Sequence, residues 1–249
     1  MSQILLADKN IFDKSMDFKE GIINYSVMGS ETGTKTIYIK EYGKIQVIHI
    51  STKSKFMRTT DAITYITPHW IYEIDLETKK TSKLPNLKYL LSQRFKKLAK
   101  KEKELLVENL KALKKRAIIN LTNDIEFKET KILDYLCTIE SINGIKTYTA
   151  QKSDIILKTE AKILGFKSTT IATNIEKKPL AQTIFILPPN LSIIETKAKQ
   201  KALNQKADKI IKYLLSSNLK KEHLTFNKEV QEQNLQNIIQ ESIETLEAL

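Results

Sequence analysis

The 249-residue chain is poor in cysteine (Cys137 alone), in glycine (6) and in proline (5). A lone thiol forbids an internal disulfide and leaves a structural zinc site without its usual ligand set. So little glycine and proline excludes collagen-like and low-complexity chains. No apolar run reaches the roughly 18 residues that a membrane-crossing helix needs. The motifs of nucleophilic and phosphate chemistry are missing too: there is no G-x-S-x-G, P-loop, G-x-G-x-x-G or H-E-x-x-H. The three histidines are scattered, with His49 inside a strand pattern, His69 in a Pro68-His69-Trp70 turn and His223 in a polar stretch. His69 and Asp75 are six positions apart and could form an acid–base pair, but no nucleophile accompanies them. Cys137 alternates like a buried strand residue, where a thiol is usually inert. These absences predict a protein that is not an enzyme and uses no cofactor or metal.

What is present is basic charge and two kinds of apolar periodicity. Lys and Arg number 41 against 29 Asp and Glu, a formal net charge of +12, which favours an anionic partner. From Glu20 to Glu77 the pattern has period two: Ile23, Tyr25 and Val27, then Ile37 and Ile39, then runs at Lys44–Ser51, Ala62–Ile66 and Trp70–Leu76. Turn residues separate these runs, as in an antiparallel meander. Tyr25, Ile37, Ile39, Trp70, Tyr72 and Ile74 fall on faces that must be covered, as ordinary core or as the wall of an apolar cavity.

After Pro85 the period changes. Asn86 can cap a helix, and Leu84, Leu91, Leu98 and Leu105 recur every seven residues, predicting a helix over Leu87–Arg116 or a hairpin broken near Lys101. Residues 94–116 hold ten basic and three acidic side chains, a net +7. Lys96, Lys97, Lys100 and Lys101 could contact an anionic surface such as a membrane. The plainer alternative is a solvated helix whose Leu stripe covers a sheet while Lys stems cover its apolar rim. Nucleic acid is disfavoured, since no recognition fold or interleaved aromatics accompany the lysines.

Sheet is predicted again from Asp124 to Leu187, with Ile132–Ile142 and Ile145–Thr149 flanking Asn143-Gly144, a strong hairpin signal. Strands follow at Asp154–Leu164, Ser168–Glu176 and Gln182–Leu187. Ser192–Ser217 reads as a helix with Ile194, Ala198, Leu203, Ala207, Ile210, Ile211 and Leu214 on its stripe. A last helix is read over Lys228–Leu249, carrying one Lys against five Glu. At the start, Ile4-Leu5-Leu6-Ala7 ahead of Asp8 looks either like the tail of a signal peptide whose front is missing or like a frayed N-terminus with a few chance apolar residues. On the first reading the mature chain would begin near Asp8, in the periplasm or secreted.

The order of these elements carries a resemblance. Gly21-Ile22-Ile23-Asn24-Tyr25, Thr36-Ile37-Tyr38-Ile39 and Glu41-Tyr42-Gly43-Lys44 resemble the opening hairpins of the periplasmic lipoprotein-carrier (LolA/LolB-like) superfamily. The nearest likeness is to its uncharacterised secreted bacterial members. Trp70-Ile71-Tyr72-Glu73-Ile74-Asp75-Leu76 is similar to the central strand of that group, a W-x-Y-x-x-D pattern. Ile132–Cys137, Ile156–Glu160, Thr169–Ile175 and Phe185-Ile186-Leu187-Pro188 follow in matching order, so that the likeness spans roughly residues 18 to 194. It implies an α+β fold: a curved antiparallel unclosed β-barrel, or half-barrel, with a helical insertion at about 86–118 and C-terminal helices over 195–249. Residues 1–17 would be the signal remnant and N-terminal segment. The concave side would hold a lipid, lipoprotein or other apolar ligand, with Phe185 joining the six wall residues above. The resemblance transfers no catalytic residue. The alternative expectation is a cell-envelope interaction or scaffold protein, docking through its C-terminal helices on an envelope partner.

Overall fold

Among the described residues twelve strands form one sheet; numbered along the chain, their order is 12-6-5-4-3-2-1-11-10-9-8-7, and every pairing except that of the twelfth with the sixth is antiparallel. The computed structural model describes residues 11–12, 16–54, 59–122, 130–142, 144–151, 153–163, 165–194 and 197–216. The expected helix at 228–249, the signal-like residues Ile4–Ala7 and Asn143 lie outside the described residues.

The first meander comprises β1 (Gly21–Gly29), β2 (Glu31–Lys40), β3 (Ile45–Ser54), β4 (Thr59–Ile66), β5 (Trp70–Asp75) and β6 (Lys80–Pro85). Gly29 makes the tight β1–β2 corner. Its φ is +115°, and a Cβ there would stand 2.2 Å from the Lys167 carbonyl oxygen, so only glycine fits. The second block is β7 (Thr130–Ile132), β8 (Tyr135–Ile142), β9 (Ile145–Ala150), β10 (Ile156–Ile163) and β11 (Phe166–Glu176). The expected single strand over Ile132–Ile142 is split, because Leu133 and Asp134 both take positive φ (47° and 65°) in a two-residue turn.

The sheet curls without closing. One buried cluster joins Ile23, Tyr25 and Ile39 of β1–β2 to Cys137 and Ala150 of β8–β9. In a flat sheet β1 and β8, four strands apart, would be roughly 19 Å apart. The Tyr135 hydroxyl reaches Asp17, just ahead of β1, at 3.3 Å, and Lys177 bonds the same carboxylate at 2.8 Å. The face of Ile23 and Ile39 is therefore concave. It is an α+β half-barrel, as expected.

Helices sit on the concave side at the other end. α1 (Leu87–Lys97), α2 (Lys100–Thr122) and α3 (Lys197–Ser216) pack Leu87, Leu90, Leu91, Leu106, Leu203, Ala207, Ile211 and Leu214 around Leu84 of β6. Each fully buried Leu of this kind contributes about 1.5–3 kcal/mol. The helical insertion breaks at Leu98-Ala99, close to the expected Lys101. There Glu102 accepts a hydrogen bond from the Ala99 amide at 2.8 Å, capping the new helix.

Two expectations are corrected. Gln182–Leu187 is not a strand: Gln182–Phe185 forms a 3₁₀ turn within a segment bounded by Pro179 and by Pro188-Pro189. Ile184, Phe185 and Leu187 from this segment, with Leu191 just beyond it, cover Val47, Tyr65 and Ile74 on the convex face. The helix expected over Ser192–Ser217 also starts later. Ser192–Ile194 forms β12, parallel to β6, because the β-branched pair Ile193-Ile194 suits the free edge that β6 offers.

Candidate functional site

The six strand residues expected to line a cavity, with Phe185, do not share one face of the sheet. Cross-strand partners share a face, and the register runs Ile37–Ile48–Thr64–Glu73 through β2 to β5. Tyr72 and Ile74 flank Glu73 and so point to the opposite side from Ile37. Tyr25, Ile37 and Ile39 belong to the concave cluster, where Ile39 is fully buried. Tyr72, Ile74 and Phe185 belong to the convex cluster. Trp70 is partly exposed, with the Lys83 ammonium 4.3 Å from its ring centre.

His69 and Asp75 are also apart. They sit at opposite ends of β5, whose six residues at about 3.3 Å each span roughly 16–20 Å. The Asp75 carboxylate is occupied by the Thr78 and Glu77 amides at 2.7 and 2.9 Å, chiefly the former, which hold it below its ordinary range. Cys137 is buried and its thiol is pushed upward by that burial. Among the described residues no group of three or more His, Cys, Asp or Glu is placed to hold a metal ion, and no helix is long and apolar enough to cross a membrane.

Between the two concave clusters lies a stretch of floor that neither covers. Ile48 and Ile50 of β3, with Ala62 and Ile66 of β4, share the face of Ile37 and are only half-buried. The sequence pattern placed them in strands but gave no sign that they lie in the gap.

At the Ile66 end this floor meets a cleft of about 370 Å³. Its walls are Glu41, Gly43 and Lys44 after β2, Ile66, Pro68 and His69 from the β4–β5 turn, and Asn86, Lys88, Tyr89, Ser92, Gln93 and Lys96 at α1. Asn86 fixes the geometry. Its Nδ2 donates to the Thr67 carbonyl at 2.8 Å, its amide donates to the His69 carbonyl at 2.8 Å, and its Oδ1 caps the helix through the Lys88 amide at 3.0 Å. Thr67 closes the turn in both directions, since its Oγ1 donates to the Trp70 carbonyl at 2.9 Å and accepts from the Trp70 amide at 3.0 Å. On the far wall the buried Gln46 amide holds the Gly43 carbonyl at 2.8 Å. His69 rests on Tyr89, ring centres 4.4 Å apart. Of the four lysines expected at an anionic surface, only Lys96 lines the cleft; Lys97, Lys100 and Lys101 are exposed beyond it.

A second cleft, of about 390 Å³, runs between α1 and α3. Arg94 crosses its rim to Asp208 and Asn204, both at 2.9 Å.

No family model and no curated protein matches the chain. Among solved structures, an uncharacterized conserved protein from Thermus thermophilus is similar at 8% identity and a TM-score of 0.44, over 72% of this chain and 91% of that one. PNGF-II is similar at 14% identity and a TM-score of 0.33 over 76% of this chain, which spans about a third of its length (33%).

Proposed function

We propose that this is a non-enzymatic periplasmic or secreted binding protein, which takes a lipid, lipoprotein acyl chain or other apolar ligand on the concave side of its half-barrel. The observation that carries this reading is the half-buried floor of Ile48, Ile50, Ala62 and Ile66, between the sheet's own core and the helical cluster. Aliphatic side chains left half-covered on a concave surface favour an apolar occupant, because covering them removes hydrocarbon from water. The cleft continues this floor to solvent and supplies a polar mouth.

The test is native mass spectrometry of protein purified without detergent, together with titration of a fluorescent fatty acid. Bound lipid, or saturable probe binding displaced by palmitate, is the expected result. Ala62→Phe fills the floor and should weaken probe binding by about tenfold while the circular dichroism spectrum is unchanged. Absence of both lipid and probe binding, or binding indifferent to Ala62→Phe, overturns the reading. The compartment belongs to the same proposal and is checked by cell fractionation.

A further inference from the structure

Lys88, Ser92 and Lys96 follow one another at intervals of four along α1, which stacks them on one face of the helix. Lys44 reaches the same cleft from the opposite wall, and Glu41 is the carboxylate on its lining. Three ammonium groups against one carboxylate make a positive cavity with partly desolvated walls, where charge acts more strongly than in bulk water. Ser92 separates this cleft from a chance group of surface lysines. It is only 8% exposed and its hydroxyl makes no hydrogen bond to another described residue. The hydroxyl itself is not fully buried; it opens onto the cleft, where it can donate to a ligand. The tilted His69–Tyr89 pair adds a flat wall beside it.

We infer that this cleft is a binding site for an anionic phosphate ester, held by Lys44, Lys88 and Lys96 with the Ser92 hydroxyl donating to one of its oxygens. A phosphate offers several acceptor oxygens to converging point charges, the arrangement lysine serves well. The volume of about 370 Å³ exceeds what a bare phosphate fills, leaving space for the ester's carbon portion. As the polar end of the ligand, the inference rests on the binding role proposed above. The same chemistry comes from a free phosphomonoester or from a phospholipid headgroup.

Glycerol 3-phosphate, which has no acyl chain, is titrated into the full chain by NMR and calorimetry. Vesicles of phosphatidylglycerol, with phosphatidylcholine vesicles as reference, form the second arm. The expected result is saturable shifts at Lys44, Ser92 and Lys96, with affinity lowered about tenfold by Ser92→Ala and at least as much by Lys44→Gln. A combined Lys97→Gln, Lys100→Gln, Lys101→Gln variant should stay within about twofold of the parent. Binding of phosphatidylglycerol vesicles alone, lost in the same two variants, assigns the site to a headgroup and also supports it. Silence in both arms overturns the inference, as does binding that survives Ser92→Ala and Lys44→Gln or is lost in the triple variant. Lys44 is exposed, so its variant tests the site without disturbing the core. Glycerol 3-phosphate binding without fatty-acid binding would remove the carrier reading and leave the site standing; the converse outcome would do the reverse.

Discussion

The Tyr25 phenol donates a hydrogen bond to the Ile156 carbonyl at 2.9 Å, reaching from β1 over β11 to the start of β10. Its partner in β11 is Ala172, small and buried, which leaves the ring room to pass. The β1–β11 register slips between Asn24 and Tyr25, and the β9–β10 register slips between Ile156 and Lys158. Irregularities of this kind bend a strand and sharpen its twist. The bond thus lies where the sheet turns inward.

Tyr25→Phe keeps the ring and deletes the bond, and should cost about 1 kcal/mol in urea denaturation. Ala172→Leu obstructs the ring's path and should cost about 1–3 kcal/mol by overpacking. If Tyr25→Phe leaves stability unchanged, the bond does not help hold the curl.

Alkaline pH should destabilise the fold through buried phenols, Tyr25, Tyr65 and Tyr148. Burial, helped by the Glu160 carboxylate that accepts the bond from Tyr148 at 3.0 Å, pushes Tyr148 up to about 12, and burial raises Tyr25 and Tyr65 as well. A tyrosine in the unfolded chain titrates near 10, so on raising the pH the unfolded state loses its proton first. The stabilisation is complete below about pH 10 and is lost progressively toward about pH 12. Urea midpoints followed across that window should fall, and Tyr148→Phe should make the fall shallower. A slope unaltered by the substitution would remove Tyr148 from the account.

The strands of the first meander and the Leu203–Leu214 stripe were legible because period two and period 3.6 report directly which residues of one element share a face. Alternation does not say which face of one strand continues onto the next. Tyr25-Ile37-Ile39 and Tyr72-Ile74 read alike, and only the β2 to β5 register puts them on opposite sides. The 182–187 segment misled for a related reason: its apolar residues suit a strand, but they pack as side chains on a sheet that already has neighbours there. The Lys88, Ser92, Lys96 spacing was visible, yet Lys44 lies more than forty positions away. The pins made by Asn86 and Gln46, a tertiary matter, bring the two walls together.

Arg94 and Asp208 should prove unequal partners. Arg94 is mostly buried, with 24% of its side chain exposed, and it bonds both Asp208 and Asn204, whereas Asp208 is 64% exposed. Removing Asp208 leaves Arg94 its bond to Asn204, so Asp208→Ala should cost no more than about 0.5 kcal/mol. Arg94→Ala also removes the stem that lines the α1–α3 cleft and should cost about 1–2 kcal/mol. Thermal denaturation of both variants checks the order, and equal losses would contradict it.

Phe185 separates a structural role from a ligand-binding one. It lies against the convex cluster, with the Lys40 ammonium 5.6 Å from its ring centre and Lys40 also bonded to Gln182 at the head of the same turn. The aromatic ring here covers Val47, Tyr65 and Ile74, on the side of the sheet away from the half-buried floor. Phe185→Ala should therefore lower stability by about 2 kcal/mol, less than the loss for a fully buried ring, because Phe185 keeps part of its surface in water. Fatty-acid probe affinity should stay within about twofold of the parent, since the two faces share no side chains and distant sites act independently. Ile66→Ala on the concave floor should do the opposite, weakening the probe with a small change in stability. Both variants are compared by urea denaturation and probe titration. Loss of probe binding in Phe185→Ala at full stability would move the ligand to the convex face.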